Sequence, residues 1–311
     1  MRRILSVWVW VSVLVFGLGS VGVPLATAQD NAPTLATCTA WLRENQQPPS
    51  TSFADHGCQE ESQLTALDMA FGAGAGVVPV GDERFAIAWF PPTWEQQSDQ
   101  RLIFSLHGSG GCAERLSSWW LRASKGRGYA VVALQYAQLG ADGEYVFDES
   151  EEVYAHLLSA YETIGEHCPI EDATVILHGF SRGSEEIYHQ AALDYSEDGE
   201  HLFAAFVADS GAGFVLSEGR DPAFIHDGDP DLFGGAHFWL YCGGHDHEGR
   251  TCEGMERMQP LLEAHGAVVD ALYTYPEGGH GILPTFNNGR PSRALRDFFT
   301  YLDNVGATPT P

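Results

Sequence analysis

Three short segments of this 311-residue chain carry residue types that could do chemistry together. The first is Gly179-Phe180-Ser181-Arg182-Gly183, which follows the apolar run Thr174-Val175-Ile176-Leu177-His178 and opens the helix-forming stretch Ser184 to Leu193. A strand that reverses into a helix within a few residues strains its turn residue and leaves no room for a Cβ on the flanking positions, which Gly179 and Gly183 satisfy. Ser181 would then project from the carboxyl edge of a sheet at a helix N-terminus, where backbone dipoles and the Arg182 N–H favour developing negative charge. The second segment, Leu106-His107-Gly108-Ser109-Gly110-Gly111, also ends an apolar run. So little side chain exposes backbone N–H groups, and Ser109, with Gly110 as the alternative, is the candidate second donor to an oxyanion. The third is Gly278-Gly279-His280-Gly281, a histidine on a glycine-rich loop able to take a proton from Ser181. A serine activated in this way, with two N–H groups aimed at an oxyanion, is equipped for acyl transfer and calls for no metal or cofactor.

The elements that must position these segments alternate between short apolar runs and helix-period stretches. Strands are expected at Phe85 to Phe90, Leu102 to Leu106, Tyr129 to Leu134, Thr174 to Leu177, Phe203 to Ala208, Phe238 to Cys242 and Ala271 to Tyr275. Between them Val153, Leu157, Ala160, Tyr161 and Ile164 share one helical face, as do Met255, Met258, Leu262 and His265, and a last helix uses Leu295, Phe298, Phe299 and Leu302. This is the pattern of an α/β fold, a mostly parallel sheet with helices on both faces, occupying 76–304. Residues 29–75 mix Pro, Gln, Ser and Gly and read as an N-terminal extension over the core, closed by Cys38 and Cys58; 305–311 read as a frayed tail.

At the start, Met1-Arg2-Arg3 precedes an apolar run from Ile4 to Val23 that ends on Ala26-Thr27-Ala28, so 1–28 reads as a signal peptide and the mature chain as secreted, extracellular or periplasmic. The chain has 42 acidic and 16 basic residues, a balance that excludes nucleic acid and anionic membrane as partners. Lys125 is the single lysine, and such a surface suits a salt- or acid-tolerant extracellular protein. Six cysteines in an oxidising compartment point to disulfides, with Cys242 and Cys252 expected to bridge around the short loop that carries Asp246.

Together the Ser181 elbow, the His-Gly-Ser-Gly-Gly loop and the His280 loop resemble the α/β-hydrolase superfamily, over roughly Phe85 to Leu302, and more loosely its secreted feruloyl-esterase and polyhydroxyalkanoate-depolymerase-like esterases. The resemblance implies a covalent acyl-enzyme on Ser181, His280 as base, an acid after a late strand, and small or polymeric esters as substrates. Both Asp209 and Asp246 follow expected strands; the superfamily habit of placing the acid on a tight turn after the next-to-last strand favours Asp246, behind Cys242-Gly243-Gly244. The same triad would also serve a peptidase or an acyltransferase, and the scaffold could be a catalytically silent cell-surface binding protein.

Other clusters are set aside. His245-Asp246-His247-Glu248, with His237 nearby, has metal-ligand types but lacks a well-placed third ligand. Asp227 to Asp231 begins like a calcium loop, yet its twelfth position is Phe238 rather than a carboxylate. Trp119 and Trp120, just past the Gly-rich loop, could line an aromatic acyl or polymer-binding surface, but helix core packing is expected for at least one of them and both are left out of the site. The Gly211 to Ala236 stretch shows no amphipathic helix, so no lid is expected over the site.

Overall fold

The computed structural model describes residues 32–47, 61–81, 84–140, 142–195, 201–212, 229–246, 252–281, 283, 286–287 and 290–303. The chain divides into two compact units, Met1–Ala32 and Pro33–Pro311, and every described helix and strand belongs to the second. The expected signal peptide at 1–28 and tail at 305–311 lie outside the described residues, as does 213–228, most of the stretch in which no lid is expected.

The N-terminal part holds helices α1 (Leu35–Glu44) and α2 (Glu61–Gly72), followed by β1 (Gly76–Val80), β2 (Arg84–Trp89), β3 (Arg101–Leu106) and α3 (Ala113–Ser124). Then come β4 (Ala130–Gln135), the small hairpin β5 (Ala137–Leu139) and β6 (Tyr145–Phe147), α4 (Ser150–His167), β7 (Thr174–Phe180), α5 (Arg182–Asp194) and β8 (Ala205–Asp209). The chain continues through β9 (His237–Gly243), α6 (Cys252–Ala264), β10 (Val268–Tyr275), the two-residue strands β11 (Phe286–Asn287) and β12 (Arg290–Pro291), and α7 (Arg293–Leu302). Eight strands form one sheet in the order β1-β2-β4-β3-β7-β8-β9-β10. Pairing is parallel from β4 to β10 and antiparallel at β1 and β2. Among the described residues no helix is long and apolar enough to cross a membrane.

Both faces of the sheet are covered, which explains why its central strands read as continuous apolar runs rather than alternating ones. Leu102, Phe104 and Leu106 of β3 join the cluster formed with α1, α4, α5 and α6, through Leu42, Leu157, Ile187 and Met258. Ile103 points the other way, into the cluster with α2, α3 and α7 that holds Leu67, Trp120 and Phe298. Each such side chain, fully buried, contributes roughly 1.5–3 kcal/mol, so two filled faces hold the sheet rigid beneath whatever sits on its edge.

All seven expected strands are present. An eighth, β1, is not among those expected: its Gly-Val-Val-Pro-Val sequence carries an exposed Pro79, which a sheet tolerates because β1 is an edge strand. One further correction concerns Cys38, which bridges Cys168 rather than Cys58. Helix α1 lies over the end of α4, with Trp41 stacked on His167 at 4.4 Å, and that packing delivers buried Cys38 to Cys168. Closing a loop across a sequence separation of 130 stabilises the fold by about 5 kcal/mol in the chain-entropy account. Cys242 and Cys252 are joined as expected, and Cys58 lies outside the described residues.

Candidate active site

Ser181 sits between β7 and α5 with φ 55°, a left-handed conformation that a non-glycine residue holds only when its surroundings enforce it. Its N–H donates to the Asp209 carbonyl at 2.8 Å, and its own carbonyl accepts the Ser184 N–H at 2.9 Å. The flanking glycines are required by space: a Cβ on Gly179 would stand 2.0 Å from the Gly183 carbonyl oxygen, and one on Gly183 would stand 2.4 Å from that of Leu106. The sharp reversal therefore depends on both.

His280 Nε2 lies 2.8 Å from Ser181 Oγ, and His280 Nδ1 lies 2.8 Å from Asp246 Oδ1. A carboxylate only accepts, so the Nδ1–H donates to Asp246 and the bare Nε2 accepts the Ser181 hydroxyl proton. The Asp246 side chain is 0% exposed while that of His280 is 22% exposed, so the acid is sealed and the imidazole stays reachable. Phe180 packs beside the imidazole, 5.0 Å between ring centres. The acid turn is laced to the strand that precedes the histidine: the Gly244 N–H donates to Tyr275 and the His245 N–H to Gly278, each at 2.8 Å. The Cys242–Cys252 bridge ties the start of that turn to α6.

Asp209, the alternative acid, has a different placement. It is fully buried, and its Oδ2 accepts the Leu283 N–H at 2.8 Å while its Oδ1 accepts the Ser210 hydroxyl at 3.1 Å. Beneath it His178 Nε2 stands 3.9 Å away, and the same imidazole meets Ser105 Oγ at 2.8 Å, where the Trp120 indole N–H also donates.

The Gly-rich loop reaches Ser181 from the other side, since a Cβ on Gly108 would come within 2.8 Å of the Ser181 Cβ. The Gly108 carbonyl accepts the Gly111 N–H, closing a tight turn in which Ser109 is exposed and Gly110 has φ 69°. Tyr136 braces the turn by donating its hydroxyl to the His107 carbonyl at 2.5 Å. Burial lowers the His107 imidazole to about 4, so it is neutral over most of the pH scale, and its Nδ1–H donates to the Gly108 carbonyl. Ser181, His280 and Asp246 thus form one hydrogen-bonded chain, with the Ser109 turn beside Ser181 and Arg182 next to it at the start of α5. The Arg182 side chain turns away from it, over the Phe147 ring and toward Glu185.

A cleft of about 200 Å³ opens beside them, lined by Ser109, Arg115, Leu116, Trp119, Phe180 and His280 among others. Trp120 is buried in the core as expected, whereas Trp119 faces this cleft. One of the two therefore packs in the core and the other, partly packed against it, offers an aromatic surface to the cleft, as expected. The two tryptophans are consecutive on α3, and helix geometry sends them to different faces, a signal the sequence did contain. Of the residues weighed as metal ligands, His237 begins β9, at the opposite end from Asp246, and its Nδ1 lies 2.8 Å from Asp270. His247, Glu248 and Asp227 lie outside the described residues.

No protein-family model matches the chain, and no curated protein matches it in sequence. Solved structures do. A fungal esterase from Rhizomucor miehei aligns over 88% of this chain and 96% of its own, with TM-score 0.58 and 17% identity. A putative dienelactone hydrolase from Klebsiella pneumoniae covers 75% and 98%, with TM-score 0.54 and 17% identity. The chain has the α/β-hydrolase fold. A hyperthermophilic esterase from Pyrobaculum calidifontis shares it, with TM-score 0.54 and 15% identity over 87% of this chain and 97% of that one. In this α/β-hydrolase fold the Ser181 turn, the Asp246 turn and the His280 loop all stand at the carboxyl ends of parallel strands, where open α/β sheets bind ligands.

Proposed function

We propose that this chain is a secreted serine hydrolase that cleaves carboxylic esters, with Ser181 as nucleophile, His280 as general base and acid, and Asp246 as the residue that orients and stabilises the imidazole. Two 2.8 Å separations carry this, Ser181 Oγ to His280 Nε2 and His280 Nδ1 to Asp246 Oδ1. The esterases that share the fold, the signal-peptide pattern of 1–28 and the two disulfides support the substrate class and export.

In this scheme Ser181 Oγ bonds to the ester carbonyl carbon as its proton passes to His280 Nε2. The carbonyl oxygen becomes an oxyanion held by the backbone N–H groups of Arg182 and Ser109, each worth roughly 3 kcal/mol of transition-state stabilisation. Collapse breaks the carbon–alkoxy bond, and the alcohol leaves with the proton from His280. Water then attacks the acyl-enzyme and gives a proton to His280, which returns it to Ser181 Oγ as the carboxylic acid departs. The imidazolium that forms twice is stabilised by the buried Asp246 carboxylate.

The test is a serine-reactive fluorophosphonate probe together with a panel of 4-nitrophenyl esters and a peptide anilide. Labelling of the wild-type protein, its loss in Ser181→Ala and turnover of esters ahead of the anilide are expected. Equal labelling of the two proteins would overturn the assignment.

A further inference from the structure

The cleft wall has a composition unlike the rest of the chain. Aspartate and glutamate number 42 in the sequence against 16 lysines and arginines, yet among the described residues no carboxylate lines the cleft. The wall does carry an arginine. Arg115 is exposed, forms none of the ion pairs seen among the described residues, and holds its guanidinium 4.7 Å above the ring of Trp119. Of the other arginines, Arg84 meets Asp148, Arg182 meets Glu185 and Arg293 meets Asp297, while Arg101 donates to the Leu302 carbonyl and Arg127 lies over the Phe299 ring, away from the cleft.

The pairing of Arg115 with Trp119 has three physical consequences. A guanidinium resting on an indole face has lost part of its rotamer freedom before a ligand arrives, so less entropy is lost on binding. Its fork of N–H donors matches the two oxygens of a carboxylate. The nearby imidazole of His107 is neutral above about pH 4, which leaves Arg115 as the cation of the described wall, and a wall in which no described residue is a carboxylate spares an anion the repulsion that the acidic surface elsewhere would impose. A neutral ester would leave Arg115 without an anionic partner.

We propose that the cleft selects esters that carry a carboxylate on the acyl or the alcohol side, with Arg115 as the anion contact and Trp119 as the surface under the intervening carbons. This rests on the ester-hydrolase reading and names its substrate class.

Two matched pairs test it. The acyl arm compares 4-nitrophenyl hydrogen glutarate with 4-nitrophenyl valerate, and the alcohol arm compares 4-acetoxybenzoate with 4-methylphenyl acetate. In at least one arm the anionic ester has the larger kcat/KM, by about tenfold at low salt, because a charge-assisted bidentate contact is gained. That ratio shrinks as sodium chloride is raised, since the contact is solvent-exposed. Arg115→Gln brings the ratio close to one, and Arg115→Lys retains part of it. Because the readout is a ratio within one protein, loss of folded material does not imitate the effect. Ratios at or below one in both arms, or ratios that Arg115→Gln leaves unchanged, overturn the proposal while esterase activity stands. Failure to turn over all four esters, together with no labelling of Ser181, would remove the hydrolase reading and this one with it.

Discussion

The hydroxyl of Ser210 accepts the N–H of Gly281 at 3.0 Å, one residue beyond His280. Ser210 also has φ 59°, and its N–H donates to Tyr241 on the neighbouring strand. Its partner Asp209 takes the Leu283 N–H through its side chain and the Ser181 N–H through its carbonyl. One dipeptide at the end of β8 therefore holds the backbone of both Ser181 and the loop that carries His280.

Ser210→Ala should lower kcat by roughly tenfold with little change in KM, because about 1 kcal/mol of hydrogen bonding is lost from the loop that, in the proposed mechanism, aims His280 at Ser181. Ser210→Thr keeps the hydroxyl and should recover part of the loss. Steady-state kinetics of the two variants beside thermal melts check this. A parallel fall in melting temperature that accounts for the whole effect, or a rise in KM alone, would contradict it.

Breaking the Cys242–Cys252 bridge should weaken the acid turn more than the fold. The closed loop is short, with a sequence separation of 10, so its removal costs roughly 2–3 kcal/mol. The paired Cys242→Ala and Cys252→Ala variant should keep its secondary structure by circular dichroism and lose activity at temperatures below its melting point. Peptide mapping of the unreduced wild-type protein should recover this bridge and Cys38–Cys168, and any other pairing of these four residues would be a contradiction.

Stability should fall on acidification because of His107. Burial is the main cause that lowers its imidazole from 6.5 to about 4, with the Gly108 hydrogen bond and the Asp148 charge opposing in part. Between those values the unfolded chain binds a proton that the folded chain refuses. Folding stability therefore declines as pH falls from 6.5 to 4, by about 3 kcal/mol in all, and no further from this group below pH 4. Denaturant melts at pH 7 and pH 4.5 should show the decline, and His107→Gln should flatten it. An acidic composition, which suits acid tolerance at the level of the whole surface, is here opposed by one buried imidazole at the start of the Gly-rich loop.

Legibility in the sequence is local. Ser181 stands out because an apolar strand, two glycines and a helix start are contiguous, and each constrains the same turn. Strand positions are legible because fully buried strands are apolar along their whole length. Pairings across long separations are not: nothing near Cys38 names Cys168, whose proximity depends on α1 lying across α4. Trp119 and Arg115 share one turn of α3, and their residue types suit solvent, core or cleft alike; only the approach of the Ser109 loop and Phe180 decides among these.

Asp209 and Asp246 give the sharpest test, because both follow parallel strands and only their hydrogen bonds separate them. Asp246 meets the imidazole itself, at Nδ1, and is shut away from solvent. Replacing it by Asn substitutes an amide that offers an N–H where an acceptor is needed, so the imidazole turns to the wrong tautomer and the imidazolium loses its counter-charge. A fall in kcat of up to ~10⁴-fold is expected, with KM and melting temperature near the wild-type values. Asp209 meets the Leu283 backbone and the Ser210 hydroxyl rather than the His280 imidazole, and Asn can still accept the Leu283 N–H through its amide oxygen. Asp209→Asn should therefore cost far less, roughly tenfold in kcat, and its pH–rate profile should keep the wild-type shape because His280 retains its own carboxylate. The two variants measured side by side decide the matter: near-wild-type kcat in Asp246→Asn together with collapse in Asp209→Asn would reverse the assignment of the acid.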